Sequence, residues 1–193
     1  MKGFIQMHPN QHNIFSVPIW GYILNSEKYH SSDYLDLISH LEETEPSKKK
    51  SNFGGWQSRS DLHKEGLFQE FKKVILILAN DIAKSQDLPE LHLISMWANI
   101  NYKHSFNAAH THEGILSGVF YLKTPPNCGK LILESPAVRA DTSPYKIRNY
   151  PVEPSPLSCI IFPSWLSHYV EPNMSDEKRI SLSFNFDIKR EIS

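Results

Sequence analysis

From Pro89 onward the chain breaks into short segments rich in Val, Ile, Phe, Tyr and Trp, punctuated by Pro, Asn, Gly and Asp. This rhythm leaves few folds open. Such runs between turn-forming residues read as strands. The candidates are about 91–101, 116–123, 130–134, 145–150, 157–162, 166–171 and 178–187, with Val17 to Leu24 a further candidate near the N-terminus. Before Pro89 the periodicity is helical. Ser31 or Ser32 is placed to cap a helix carrying Tyr34, Leu35, Leu37, Ile38 and Leu41 on one stripe, bounded by Pro46. Leu67, Phe68, Phe71, Val74, Ile75, Leu78, Ala79 and Ile82 predict a second, core-facing helix over about 67–84. The polar, Gly-containing stretch Ser51 to His63 reads as an ordered loop, and Pro125-Pro126-Asn127-Cys128-Gly129 as a hairpin turn. Helices first and strands afterwards predict an α+β, mainly β fold: a jelly-roll or sandwich core with two N-terminal helices packed on one sheet.

At 193 residues the chain is expected to form a single domain. Residues 1–89 would supply helical support and a loop, and 90–188 the jelly-roll core. The formal net charge is −1. The one cationic run, Lys48-Lys49-Lys50, follows Glu42-Glu43-Thr44-Glu45 and reads as solvated loop. Without a basic stripe, nucleic acid is not an expected partner. Cys128 and Cys159 are too few for a disulfide framework and form no C-x-x-C motif. Met1 to Pro9 lacks the apolar core of a signal peptide, and no apolar run approaches the roughly 18 residues of a membrane span. A cytoplasmic location is the expectation.

Chemistry concentrates in three places. His110 and His112, two apart on a strand, would point to one face. Imidazoles held that way can grip one metal ion if a third ligand arrives from elsewhere. His168, 56 residues after His112, lies in a further strand-like segment. Eleven residues later come Arg179 and Ser181, which alternate onto one face and suit a carboxylate: a guanidinium offers two parallel donors and a hydroxyl a third. An H-x-H alone is weak evidence in a chain with ten histidines. His8, His12, His30, His40, His63, His92 and His104 show no such spacing and read as surface or capping residues. Trp97 and Trp165 read as core.

Trp97-Ala98-Asn99-Ile100-Asn101, His110-Thr111-His112, Leu116 to Leu122, Phe162 to His168 and Arg179 to Asn185 resemble the 2-oxoglutarate/Fe(II) oxygenase family of bacteria and their phages. Ser51 to Ser58 resembles it too. The resemblance implies a double-stranded β-helix with iron in its mouth, 2-oxoglutarate as cosubstrate, and O2 and an unidentified substrate as partners. The setting would be the cytoplasm of a bacterium or of a phage-infected host. It also implies His110, His112 and His168 as metal ligands, with Arg179 and Ser181 on the distal carboxylate of 2-oxoglutarate. Asn99 and Ser117 are further cosubstrate candidates, with Asn101 and Tyr102 beside them. Trp56 and Gln57, in a Gly-rich loop, are candidates for substrate contact. His112 stands where the usual pattern has Asp or Glu, so Glu113 or another acid remains an alternative third ligand. The reading is a hydroxylase. Its rivals are a cupin-type metalloenzyme, which needs no Arg-x-Ser, and a non-catalytic metal-binding jelly-roll.

Overall fold

The computed structural model describes residues 16–24, 31–136 and 149–189. Two antiparallel sheets face each other. The larger contains, in spatial order, β1 (Trp20–Ile23), β9 (Ser158–Pro163), β6 (Leu116–Lys123), β11 (Arg179–Ile188), β4 (Leu91–Asn101) and β3 (Trp56–Gln57). The smaller runs β2 (Asn52–Phe53), β5 (Phe106–His110), β10 (His168–Val170), β7 (Leu131–Leu133) and β8 (Tyr150–Val152). Apart from the neighbouring pairs β3–β4 and β7–β8, successive strands alternate between the sheets, which is the jelly-roll expected from the segment pattern.

Helices α1 (Ser31–Thr44) and α2 (Gln69–Ser85) cover the outer face of the larger sheet. A short 3-10 turn, Gly66–Phe68, leads into α2, so the 67–84 periodicity is helical throughout but not α-helical at its start. Phe71, Ile75, Ala79 and Ile82 form the buried stripe of α2. They meet Met96, Ala98 and Ile100 of β4 and Leu182, Phe184 and Phe186 of β11 in one core cluster. Phe71 is fully buried, with its ring 4.9 Å from Phe120 and 6.1 Å from Phe184. Burying each such side chain stabilises the fold by about 1.5–3 kcal/mol. A smaller cluster, Leu131, Leu133, Val152, Phe162 and Leu166, closes one end between the sheets.

Several expectations change. The Ser51–His63 segment is ordered as predicted, but β2 joins the smaller sheet and β3 the larger. It therefore bridges the two sheets at their open side. β5 is not among the expected strands; Ala108 and Ala109 give it a bland sequence. Pro125 to Gly129 makes no hairpin, because β6 and β7 lie in different sheets. Its glycine is required: Gly129 has φ +82°, and a Cβ there would lie 2.3 Å from the Glu171 carbonyl oxygen. The strand expected at 145–150 is found at Tyr150–Val152; positions 145–148, like His8, His12 and His30, lie outside the described residues. Trp165 is 57% exposed rather than core, because it sits on the turn between β9 and β10. Both cysteines are free and buried. Among the described residues no helix is long and apolar enough to cross a membrane.

Candidate metal centre

β4 and β11 pair along their whole length, placing Arg179 opposite Asn101, Ser181 opposite Asn99, Ser183 opposite Trp97 and Asn185 opposite Ser95. Alternation sends Ile180, Leu182, Phe184 and Phe186 outward to the helices and the polar set inward between the sheets. Those inward polar groups line a cavity of about 820 Å³, within the usual size range of small-molecule sites.

The smaller sheet contributes the histidines. Antiparallel pairing sets His168 of β10 directly against His110 at the end of β5. β5 stops at His110, so His112 is not held by the strand alternation the sequence suggested. Instead its backbone N–H donates to the Ser164 carbonyl at 3.0 Å, which turns its ring back toward the pair. The ring centroids lie 4.8 Å apart for His110–His112, 4.3 Å for His110–His168 and 5.0 Å for His112–His168. One nitrogen from each falls within 4.8 Å of the others, a group that could hold a metal ion. Glu113 lines the cavity but is not part of that group.

The hydrogen bonds prepare these rings. His110 Nδ1 contacts the Ala108 carbonyl at 2.7 Å and His168 Nδ1 the Leu166 carbonyl at 2.9 Å. A carbonyl only accepts, so both Nδ1 atoms carry the proton and both Nε2 atoms present a lone pair, as metal ligation demands. Burial, together with the charge each ring would feel from its neighbours, pushes His112 down to about 3 and His168 to about 4. Burial lowers His110 as well, against the opposing Ala108 contact. The triad is therefore neutral at pH 7.

At the far end of the cavity Arg179 is almost completely buried. Its Nη1 donates to the Gly129 carbonyl at 3.2 Å and its Nη2 to Asn101 Oδ1 at 2.9 Å, while Nε has no partner. Desolvation lowers its pKa, and among the described residues no carboxylate forms an ion pair with it. A buried cation facing only neutral acceptors, with an orphaned donor, is built for an anion. Ser181 and Tyr121 stand opposite each other across the β11–β6 pair and line the same cavity. Burial raises Tyr121 to about 12, so its hydroxyl stays protonated.

Of the other candidates, Gln57 pairs with Asn99 in register and both line the cavity; Asn99 Oδ1 is buried without a partner. Trp56 does not reach the cavity. It stands opposite Ile100 on the helix side of the sheet, in the core, with its indole N–H on the Glu45 carbonyl. One residue of alternation separates the two fates. Ser117 bonds to Asn185 Oδ1 and Ser164 Oγ and is not a lining residue. Asn101 acts through Arg179, and the Tyr102 hydroxyl donates to Glu42 instead. Trp97, read as core, lines the cavity and meets His112 edge-on at 5.4 Å. Tyr121, Ser183 and Asn185 escape the sequence reading, although the polar alternation along β11 marks the last two.

A three-histidine group and a buried guanidinium inside a double-stranded β-helix define a metal-dependent enzyme of the oxygenase class. Residues 95–185, a little under half of the chain, match the model of the family described as "Putative 2OG-Fe(II) oxygenase". The match spans β4 to β11 and hence every residue of the triad and the Arg-x-Ser pair. No curated protein sequence matches the chain. Solved structures similar to it include a Pseudomonas putida prolyl-4-hydroxylase (16% identity, TM-score 0.67, covering 90% of this chain and 94% of that one). Another is the epimerase SnoN of nogalamycin biosynthesis with Fe3+, alpha-ketoglutarate and nogalamycin RO (16%, 0.68, 89% and 79%). A third is HygX from Streptomyces hygroscopicus with nickel and 2-oxoglutarate (10%, 0.64, 89% and 83%). At such identities the likeness is one of fold.

Proposed function

We propose that the chain is a single-domain, Fe(II)- and 2-oxoglutarate-dependent hydroxylase whose iron is held by His110, His112 and His168. The observation that carries this is Arg179, a buried guanidinium with no carboxylate partner among the described residues, in the same cavity as three neutral imidazoles. A cupin-type site has no use for such a cation. The donor set suits a borderline divalent metal, and its two fixed Nε2 lone pairs need no rearrangement to bind one. Glu113 stands outside the nitrogen cluster, which favours His112 over a carboxylate as third ligand.

Bound iron supplies the oxidising chemistry, coupling oxidative decarboxylation of 2-oxoglutarate by O2 to hydroxylation of a substrate not yet identified. The chain's own part is binding, orientation and exclusion of water. The Arg179 guanidinium would take the distal carboxylate of the cosubstrate, with Ser181 and the protonated Tyr121 donating beside it. Asn99 and Gln57, farther toward β3, present amide groups to whatever enters from the open side. Trp97 shields His112 from solvent. The similar Pseudomonas putida structure is that of a hydroxylase, which lends the reaction type its support. The test is to add Fe(II), ascorbate and 2-oxoglutarate aerobically and to measure succinate. Succinate formed by the wild type and not by His168→Ala is expected. No succinate, together with no absorbance change on anaerobic addition of 2-oxoglutarate to the Fe(II) protein, would refute the assignment.

A further inference from the structure

A single chain of hydrogen bonds runs from Arg179 to His110. Arg179 Nη2 donates to Asn101 Oδ1 at 2.9 Å, Asn101 Nδ2 to Asn107 Oδ1 at 3.1 Å, and Asn107 Nδ2 to Ser51 Oγ at 3.2 Å. Ser51 Oγ then lies 3.4 Å from His110 Nε2. Its members are drawn from β11, β4, β5 and the segment before β2, so it ties both sheets together at the cavity wall.

The direction of this chain is forced. A guanidinium has no acceptor, so the Asn101 oxygen must face it and the Asn101 nitrogen must face Asn107. The same constraint then passes to Asn107, whose amide nitrogen must donate to Ser51. Ser51 Oγ is thereby committed as an acceptor, and its one hydrogen is left for the other side. There it meets His110 Nε2, which bears a lone pair because Nδ1 holds the proton against Ala108. That lone pair is the one a metal would take. Once it is taken, the Ser51 hydrogen has lost that acceptor, while Asn107 still occupies one lone pair of the hydroxyl and narrows the directions left to the hydrogen.

Resting on the iron and 2-oxoglutarate reading, we infer that Ser51 is a positioning residue for the cosubstrate. Its hydroxyl hydrogen passes from His110 Nε2 to an oxygen of the keto-acid end of 2-oxoglutarate. The Asn101–Asn107 pair holds that donor in the orientation Arg179 dictates. The two ends of one small molecule are thus gripped by the two ends of one hydrogen-bond chain.

The test is anaerobic titration of 2-oxoglutarate into the Fe(II)-loaded protein, read by the metal-to-ligand charge-transfer band. Ser51→Ala should weaken 2-oxoglutarate by about tenfold or more, the worth of one hydrogen bond to a charged group, and shift the band. Ser51→Thr should restore both. Asn107→Asp keeps an acceptor for Asn101 but removes the donor to Ser51, freeing the hydroxyl to turn, and should behave like Ser51→Ala. In the metal-free protein, the 15N resonance of His110 Nε2 should move in Ser51→Ala while the Nδ1-protonated tautomer persists. Unchanged affinity and band in Ser51→Ala and Asn107→Asp would overturn the inference. Absence of any band in the wild type would instead overturn the iron and 2-oxoglutarate reading beneath it.

Discussion

Arg179→Met separates the cosubstrate from the metal. The guanidinium is 2% exposed, makes two hydrogen bonds to neutral oxygens and leaves Nε unpaired. Methionine keeps much of the volume and removes the charge. The distal carboxylate of 2-oxoglutarate would then enter a buried site without a counter-ion, a loss of about 3–5 kcal/mol. That corresponds to roughly 150- to 5,000-fold in affinity. The metal-free protein should respond differently. Removing an uncompensated buried cation relieves a desolvation cost, whereas the Gly129 carbonyl and Asn101 Oδ1 each lose a donor at about 1–3 kcal/mol. These oppose, so the thermal midpoint should move far less than the affinity. The assay is the anaerobic 2-oxoglutarate titration, with Fe(II) affinity and apo melting measured alongside. Arg179→Lys should recover only part of the loss, since an ammonium lacks the two parallel donors. Equal 2-oxoglutarate affinities in wild type and Arg179→Met would refute the reasoning. So would a loss accompanied by equal losses in Fe(II) binding and melting temperature, which would make Arg179 a structural residue.

Metal analysis should find one Fe(II) per chain, nearly abolished by His110→Ala or His168→Ala; full occupancy in His112→Ala would move the third ligand elsewhere. His112→Asp should retain the metal but bind the dianionic cosubstrate more weakly, read in the same titration, because it adds a negative charge beside the site. The triad also predicts acid lability of the metal-free protein. The folded pKa values of His112 and His168, about 3 and about 4, lie below the ordinary 6.5, so the unfolded chain takes up protons first. Their stabilisation is complete above 6.5 and is lost as pH falls from there toward 4, by up to about 1.4 kcal/mol per pH unit per histidine. Urea midpoints from pH 8 to 5 check this, and a flat profile would count against it. Phe71→Ala should cost about 3–5 kcal/mol in urea unfolding while leaving Fe(II) affinity unaltered, because Phe71 packs on the helix side of the sheet.

What the sequence disclosed, and what it hid, follows from alternation. Both helices and most strands were legible because apolar periodicity reports which residues leave water. The stretch Arg179-Ile180-Ser181-Leu182-Ser183-Phe184-Asn185-Phe186 alternates as cleanly as a strand with one wet face. Yet its polar side chains point into the sandwich and its apolar ones outward to the helices. Polarity alone does not distinguish solvent from an interior cavity; the covering sheet decides, and that is a tertiary fact. The same ambiguity explains Trp56 and Gln57. Composition makes the tryptophan the more attractive contact residue, but β3 pairs with β4 in the register that gives the glutamine to the cavity. His112 shows the converse. Its two-residue spacing from His110 suggested a shared strand face, whereas a backbone bond to Ser164 beyond the end of β5 performs the convergence. No spacing rule encodes that bond. The missing carboxylate, by contrast, was legible in the residues themselves. Glu113 lines the cavity but stands outside the nitrogen group, so among the described residues three imidazoles would hold a dication without a carboxylate ligand. Arg179 likewise has no carboxylate partner among the described residues, so an anionic ligand would offset charge at both ends of the cavity. The departure from the usual ligand pattern and the orphaned arginine are therefore two parts of one electrostatic design, and both favour a doubly charged cosubstrate bridging them.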